Sequence, residues 1–144
     1  MKKVLDAWAM LAWLQDEKPA SDKVRTFLDL AESGEVELMI NLINLGEVYY
    51  RIIRLKGEEM AKAFWRDFRG MPIQLLGVTR SLTLIAAGFK GRYPIAYADA
   101  FAAATAEVER CPLVTGDPEL RVLEGVIEIE WLRRSDLPNS RMRR

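Results

Sequence analysis

The stretch VLDAWAMLAWL, residues 4–14, contains a single charged residue, Asp6, within an otherwise apolar run. Burial of an ionised carboxylate is costly, so Asp6 must be exposed, protonated, paired with a cation or bound to a metal ion. Residues 2–5 are predicted to form a strand and residues 7–15 a helix. Asp6 is therefore predicted at a strand-to-helix junction, where it either caps the helix or faces a ligand beyond the strand end.

The chain as a whole has the length and composition of one folded domain. It has 144 residues, of which 50% are hydrophobic and 29% charged, and no Pro-rich, Ser/Gly-rich or repeated segment. These features predict a single core rather than disorder or a solenoid. We expect the domain to span residues 1–134 and residues 135–144 to form a flexible basic tail.

Charge and missing residue types restrict the chemistry. The 21 Lys and Arg residues balance the 21 Asp and Glu residues, so nucleic-acid contacts would need a local patch or metal-bridged phosphates. The absence of histidine excludes imidazole acid–base catalysis, Ser-His-Asp triads and histidine-ligated zinc. The single Cys111 excludes an intrachain disulfide or a cysteine metal cluster and favours a reducing compartment. Catalysis would therefore depend on carboxylates.

The N-terminus also resembles a secretory signal, because Lys2 and Lys3 precede an apolar run. Asp6 interrupts that run, which is shorter than the ~20 residues needed to cross a bilayer. A cytoplasmic protein that begins with a buried strand explains the same residues. We therefore expect a cytoplasmic location and no membrane partner.

The rest of the chain alternates between helical and strand patterns. Predicted helices cover residues 22–33, capped by Ser21 or Asp22, and residues 42–56, 58–69, 79–89, 95–110 and 119–123. Predicted strands cover residues 36–40, 71–78, 112–114 and 126–132. This alternation is typical of a parallel α/β sheet.

Three further acids occur at helix starts, helix faces or strand ends. Glu47 has Arg51 four residues later, so a surface ion pair is its alternative role. Asp99 has only small or apolar residues at helical spacing, so no cation on its own helix can pair with it, although the helix dipole alone could favour it. Asp117 follows a predicted strand, where a turn or cap role is the alternative.

Considered together, the four acids are predicted to share one rim of the sheet, because strand ends and helix starts meet there. They are Asp6, Glu47, Asp99 and Asp117. Four like charges in one pocket repel each other, and all-oxygen ligands favour Mg²⁺ or Mn²⁺ over zinc. Such ions activate water and bind phosphates, so the pattern predicts phosphodiester hydrolysis.

Four segments resemble the motifs of the PIN-domain ribonucleases, in particular the VapC-like toxins of type II toxin–antitoxin modules. They are VLDAWAMLAWL (4–14), INLINLGEVYYR (40–51), YADAFAAATA (97–106) and LVTGD (113–117). The resemblance covers nearly the whole chain. It implies a three-layer α/β/α PIN-like domain with a central parallel sheet, an Mg²⁺- or Mn²⁺-dependent endoribonuclease that acts on RNA, a homodimer, and inhibition by a cognate antitoxin.

The resemblance also implies roles for individual residues. The four acids would be metal ligands or water activators, and the Thr115 hydroxyl would support them. One position departs from the family, because many relatives carry a small hydroxyl residue two positions after the first acid and this chain has Trp8. The hydrogen bond that such a residue would make is therefore open. Basic side chains that could select the RNA are Lys90, Arg92, Arg133 and Arg134.

Other α/β proteins with an acid after the first strand, and a PIN fold without activity, are alternatives to this interpretation. A phosphatase of the haloacid-dehalogenase type would have a second Asp in place of Trp8, and a phosphoaspartate receiver domain would have paired acids at the first strand. The stronger rival is a catalytically inactive PIN-fold protein-binding module, whose acids serve stability or bind metal without turnover. The presence of four mutually repelling acids argues against this rival.

Overall fold

A computed structural model describes residues 1–132 of the chain. Its helices are α1 (Ala7–Leu14), α2 (Ala20–Glu32), α3 (Leu42–Lys56), α4 (Glu58–Asp67), α5 (Arg80–Arg92) and α6 (Tyr97–Glu109). Its strands are β1 (Lys2–Leu5), β2 (Glu37–Asn41), β3 (Ile73–Leu76), β4 (Leu113–Thr115) and β5 (Ile129–Trp131). Two 3₁₀ helices cover Phe68–Gly70 and Pro118–Leu123. Arg133, Arg134 and the predicted tail at 135–144 lie outside the described residues.

The five strands form one parallel sheet in the order β3-β2-β1-β4-β5. The strand β1 is central, and Leu5 is in register with Ile40 of β2 and with Val114 of β4. Because all the strands run in the same direction, the residues that follow their carboxyl ends meet at one edge of the sheet. Asp6 and Thr115 lie at this edge.

Helices cover both faces of the sheet and create two buried clusters. Alternate residues of a strand point to opposite faces, so Leu5 packs with α1–α4 and Val4 packs with α5 and α6. Val4 and Leu5 are both completely buried. This arrangement confirms the predicted three-layer α/β/α fold with a central parallel sheet.

Several element boundaries differ from the sequence predictions. The outer strands β3 and β5 are shorter than the predicted segments 71–78 and 126–132, because an edge strand extends only as far as its neighbour pairs with it. The prediction that Ser21 or Asp22 caps α2 was wrong, since Pro19 holds the cap position without a side-chain hydrogen bond. Ser21 is instead buried and donates to Oδ1 of Asp16 at 3.0 Å.

None of the helices in residues 1–132 has both the length and the hydrophobicity that a membrane-spanning helix needs.

Candidate active site

Asp6 lies at the junction of β1 and α1 and is only 2% exposed. Its Oδ1 accepts a hydrogen bond of 2.8 Å from the backbone N–H of Ala9, which makes Asp6 the N-cap of α1. Its Oδ2 accepts a hydrogen bond of 2.5 Å from the hydroxyl of Thr115. The helix-capping role considered from the sequence is therefore real, and it coexists with a contact to the neighbouring strand β4.

Thr115 connects two of the acids. The Thr115 side chain is fully buried, and its Oγ1 accepts a hydrogen bond of 3.1 Å from the backbone N–H of Asp117. The carboxylate of Asp117 in turn accepts from the N–H of Glu119 at 3.0 Å and caps the 3₁₀ helix that follows. A single hydroxyl group thus fixes the spacing between Asp6 and the start of the Asp117 loop.

A polar cavity of about 120 Å³, which we call the acidic cavity, opens beside these residues. The carboxylates of Glu47, Asp99 and Asp117 line it together with Arg51. Asp6 is buried and does not line the cavity, yet the negative charges of Asp99 and Asp117 act on it. The structure therefore brings three of the four predicted acids to one cavity and leaves the fourth enclosed next to it.

The helices α3 and α6 present Glu47 and Asp99 to this cavity. Glu47 also lies 3.9 Å from the guanidinium of Arg51, so the surface pair predicted from the sequence is present as well. Asn44 was not recognised as important from the sequence. Its side-chain amide donates to the carbonyl of Ala98 at 2.9 Å, and this bond joins α3 to α6 beside Asp99. The sequence signal that could have indicated this role is an asparagine one turn before Glu47, next to the apolar face of the predicted helix.

Three carboxyl groups in this region, those of Asp6, Glu47 and Asp99, have raised pKa values. Burial raises the pKa of Asp6 from 3.8 to about 7, partly opposed by the hydrogen bonds from Thr115 and Ala9. Burial and the charges of Asp117 and Glu47 raise the pKa of Asp99 to about 7. Burial also raises the pKa of Glu47, although Arg51 opposes this. The shifts indicate desolvated, mutually repelling carboxylates that one guanidinium does not neutralise.

The positions of the side chains also bear on metal binding. Within residues 1–132, no group of three or more histidine, cysteine, aspartate or glutamate side chains is arranged to hold a metal ion. The oxygen donors and the excess negative charge suit a hard divalent cation. Ion binding would therefore require the carboxylates that line the cavity to move closer together.

Trp8 lines the acidic cavity and lies against the loop that carries Asp117. A Cβ atom placed on Gly116 would lie 2.3 Å from Cη2 and Cζ3 of Trp8, and 2.8 Å from the carbonyl oxygen of Leu132. Such distances are too short for real contacts, so the indole can occupy this place only because residue 116 has no side chain. The hydroxyl that contacts Asp6 in this chain comes from Thr115.

The sequence profile of the PIN domain matches residues 3–126. The chain belongs to the PIN domain family. A search of curated proteins found no match.

Solved structures show the same PIN fold at low sequence identity. The DNA-bound VapBC structure from Salmonella typhimurium has a TM-score of 0.70 at 19% identity, covering 92% of this chain and 98% of that one. The VapBC2 structure from Rickettsia felis, bound to a promoter DNA fragment, has a TM-score of 0.69 at 17% identity, covering 90% and 98%. The VapC20 toxin from Mycobacterium tuberculosis, described as cleaving the sarcin–ricin loop, has a TM-score of 0.68 at 16% identity, covering 87% and 95%.

The raised pKa values predict how the stability of this PIN domain depends on pH. Asp6 and Asp99 titrate near 7 when folded and have an ordinary value of 3.8, so between these values the folded chain binds more protons than the unfolded chain. Without divalent cations, the free energy of unfolding should therefore fall as the pH rises from 3.8 towards 7, and level off above that. Urea denaturation across this range measures the effect.

The variant Asp6→Asn should flatten this profile. It should also increase the free energy of unfolding at pH 8 by on the order of a few kcal/mol, because a neutral amide replaces a buried charge. Asparagine retains an oxygen that can accept from Ala9. The exposed residue Asp29 provides the control, since Asp29→Asn should leave the profile unchanged. An unchanged profile in Asp6→Asn would contradict the assignment to Asp6.

The contact between Trp8 and Gly116 predicts a coupled pair of substitutions. Gly116→Ala should lower the free energy of unfolding by about 1–3 kcal/mol, because the added methyl group overlaps the indole and the Leu132 carbonyl. The double variant Trp8→Ala/Gly116→Ala should lose less than the sum of the two single variants, because only the carbonyl overlap remains. Urea denaturation of all four proteins measures this coupling, and strictly additive losses would contradict it.

Proposed function

We propose that this chain is an Mg²⁺- or Mn²⁺-dependent endoribonuclease, the toxin component of a type II toxin–antitoxin system. The observation that carries the proposal is the polar cavity lined by Glu47, Asp99 and Asp117 beside the buried Asp6. Membership of the PIN domain family supports it. The VapC20 toxin from Mycobacterium tuberculosis, whose fold is similar, is described as cleaving the sarcin–ricin loop.

The proposed metal ligands are Asp6 and three of the acids that line the cavity, namely Glu47, Asp99 and Asp117. The PIN domain family generally uses divalent metal ions. The raised pKa values of Asp6, Asp99 and Glu47 support a cation here, because a cation would relieve the repulsion between desolvated carboxylates. Both oxygens of Asp6 already accept one hydrogen bond, but each carboxylate oxygen has a second lone pair.

The protein groups have separate proposed roles in phosphodiester hydrolysis. When bound, a divalent cation supplies Lewis-acid stabilisation of the negative charge on the phosphate. Thr115 and the N–H of Ala9 hold Asp6 in one orientation. Asp99 lines the cavity on α6 and is the proposed group that takes a proton from water. Arg51, half exposed at the rim, can contact an RNA phosphate.

The proposal predicts RNA cleavage that requires both the cation and the acids. Purified protein should cleave labelled RNA in Mg²⁺ or Mn²⁺, and EDTA should abolish the reaction. Asp99→Asn should reduce the rate by about 100-fold or more, because it removes a proposed ligand and proton acceptor. Asp29→Asn removes an exposed carboxylate elsewhere and should leave the rate unchanged. Cleavage that persists in EDTA or in Asp99→Asn would overturn the metal-dependent mechanism.

The second candidate is a catalytically inactive PIN-fold protein-binding module. It is favoured by one observation, namely that no three potential ligands among residues 1–132 are arranged to hold an ion. The two candidates differ in the response of the melting temperature to cations. The nuclease should melt at a higher temperature in millimolar Mg²⁺ or Mn²⁺, because the ion binds only the folded state. An inactive module that has lost its metal site should give neither this shift nor cleavage.

The proposed antitoxin site is an apolar groove of about 380 Å³ between α1, α3 and α4. Its lining includes Leu11, Ile52, Met60 and Phe64. Leu11 also lines the acidic cavity, so the two depressions are adjacent. Several solved structures with this fold are toxin–antitoxin complexes, including that from Klebsiella pneumoniae. We infer that the cognate antitoxin places an apolar segment in this groove.

The groove predicts an antitoxin-specific defect. Met60 lines it and is 56% exposed, so Met60→Glu should fold normally. The substitution should weaken binding of the cognate antitoxin by about tenfold or more, because a carboxylate would be buried against apolar side chains. Val108→Glu introduces the same charge at an exposed position on α6 and should leave the affinity unchanged. Calorimetry measures both affinities, and equal affinities would reject the groove.

The proposed homodimer would use the edge of the sheet. The strand β3 forms one edge of the sheet, and apolar side chains on and after it are exposed. They are Leu75, Val78 and Leu84, which are 41%, 40% and 70% exposed. An edge strand with exposed apolar side chains is a surface on which a second copy can bury area.

The cytoplasmic location stays a prediction.

A further inference from the structure

A second depression, of about 480 Å³, lies on the outer side of α3 and α4. Its lining residues are Gly46, Tyr49, Lys62, Trp65, Arg66 and Arg69. We call it the basic–aromatic cleft. Two aromatic rings and three cations line it, and within residues 1–132 no carboxylate does. Its lining is therefore opposite in charge to the acidic cavity, which Glu47 lines from the same helix α3.

The aromatic part of the cleft is open to solvent. The rings of Tyr49 and Trp65 are nearly perpendicular, with an interplanar angle of 83° and centroids 5.5 Å apart. The perpendicular arrangement makes the rings adjacent walls rather than a closed stack. Trp65 is 42% exposed. A flat ring that is exposed beside a depression is suited to stacking with a nucleobase, an interaction that tolerates any base.

The cations of the cleft are available for a new partner. Lys62 lies 3.8 Å from Glu59, and Arg66 lies 3.7 Å from Asp67. Both are exposed ion pairs, which contribute little and exchange easily. Arg69 forms no ion pair within the part of the chain that the structure describes. Three cations around exposed rings match the alternation of phosphates and bases in a single strand.

The cleft is separated from the acidic cavity only by the exposed side of α3. Gly46 lines the cleft and the next residue, Glu47, lines the acidic cavity. A Cβ at Gly46 would meet no atom within 4 Å, so the space beside Gly46 is open. Consecutive helix residues point about 100° apart, so the two sites lie on neighbouring sides of α3.

We propose that the basic–aromatic cleft binds a single-stranded RNA segment that flanks the phosphate to be cleaved. A base stacks on Trp65 or Tyr49, and Arg69, Arg66 and Lys62 contact the phosphates. This inference rests on the proposed ribonuclease function and names the surface that holds its substrate. Single-stranded RNA fits the cleft because it supplies both phosphates for the cations and bases for the aromatic rings.

The test measures binding without cleavage. The full-length chain carrying Asp99→Asn is titrated in EDTA against fluorescein-labelled 12-nucleotide uridine and adenosine RNAs, and fluorescence anisotropy gives the Kd. Trp65→Ala in this background should raise the Kd by roughly fivefold or more, and Trp65→Phe should restore much of the affinity. Arg69→Ala should reduce the slope of log K against log salt by roughly 0.7, because one phosphate contact is lost.

A matched control removes a cation outside the cleft. Arg25 is exposed on α2, where it lies 3.5 Å from Asp22, and Arg25→Ala should change neither the Kd nor the salt slope. Circular dichroism confirms that each variant is folded. The absence of measurable binding to either RNA at low salt overturns the proposal. An unchanged Kd in Trp65→Ala and Arg69→Ala also overturns it. If the Kd is unchanged and Trp65→Ala converts a dimer to a monomer in sedimentation, the cleft binds a second copy of the chain instead of RNA.

The same variants in the wild-type background separate this inference from the proposed function. Cleft-dependent RNA binding without Mg²⁺- or Mn²⁺-dependent cleavage would sustain the cleft and reject the nuclease. Metal-dependent cleavage with the same kcat/KM in wild type, Trp65→Ala and Arg69→Ala would sustain the nuclease and reject the cleft. If both proposals hold, these two variants lower kcat/KM while Arg25→Ala does not.

Discussion

The hydrogen bond between Asp6 and Thr115 is the interaction on which the candidate site depends. It joins the ends of two neighbouring parallel strands, and Thr115 also accepts from the backbone of Asp117. The same carboxylate caps α1 through Ala9. One buried acid thus fixes the central strand, the first helix and the loop that carries a second acid. Its raised pKa indicates that this arrangement is achieved against the cost of burying a charge.

Much of the architecture could be predicted from the sequence, because alternating strand and helix patterns restrict a chain of this size to few folds. The parallel sheet also brings strand ends together, which is why Glu47, Asp99 and Asp117 were expected near each other and do line one cavity. The family resemblance read from four short segments agrees with the profile match to residues 3–126. Local patterns were sufficient here because each acid lies in, or directly after, a recognisable helix or strand.

Other features required coordinates because they depend on residues far apart in the chain. The contact between Trp8 and Gly116, the bond from Asn44 to Ala98 and the cleft formed by Tyr49 and Trp65 have no signature in local spacing. Strand length was also overestimated at both sheet edges, since apolar residues continue beyond the point where a neighbouring strand can pair. The enclosure of Asp6 also required coordinates, because local spacing does not show contacts between residues 109 apart, although the family resemblance implied a supporting role for Thr115.

The sheet order has a consequence for the growing chain on the ribosome. The pairs β1–β2 and β2–β3 can form while the first half of the sequence emerges, but β1 must wait for β4 to cover its other edge. Long-range pairing of this kind is slow, because the chain loses the entropy of closing a large loop before the stabilising contacts form. Until Val114 and Thr115 have been synthesised, Asp6 has no hydroxyl partner and the Asp117 loop does not exist. The acidic cavity is therefore completed only after Asp117 has been synthesised, and shorter nascent chains lack it.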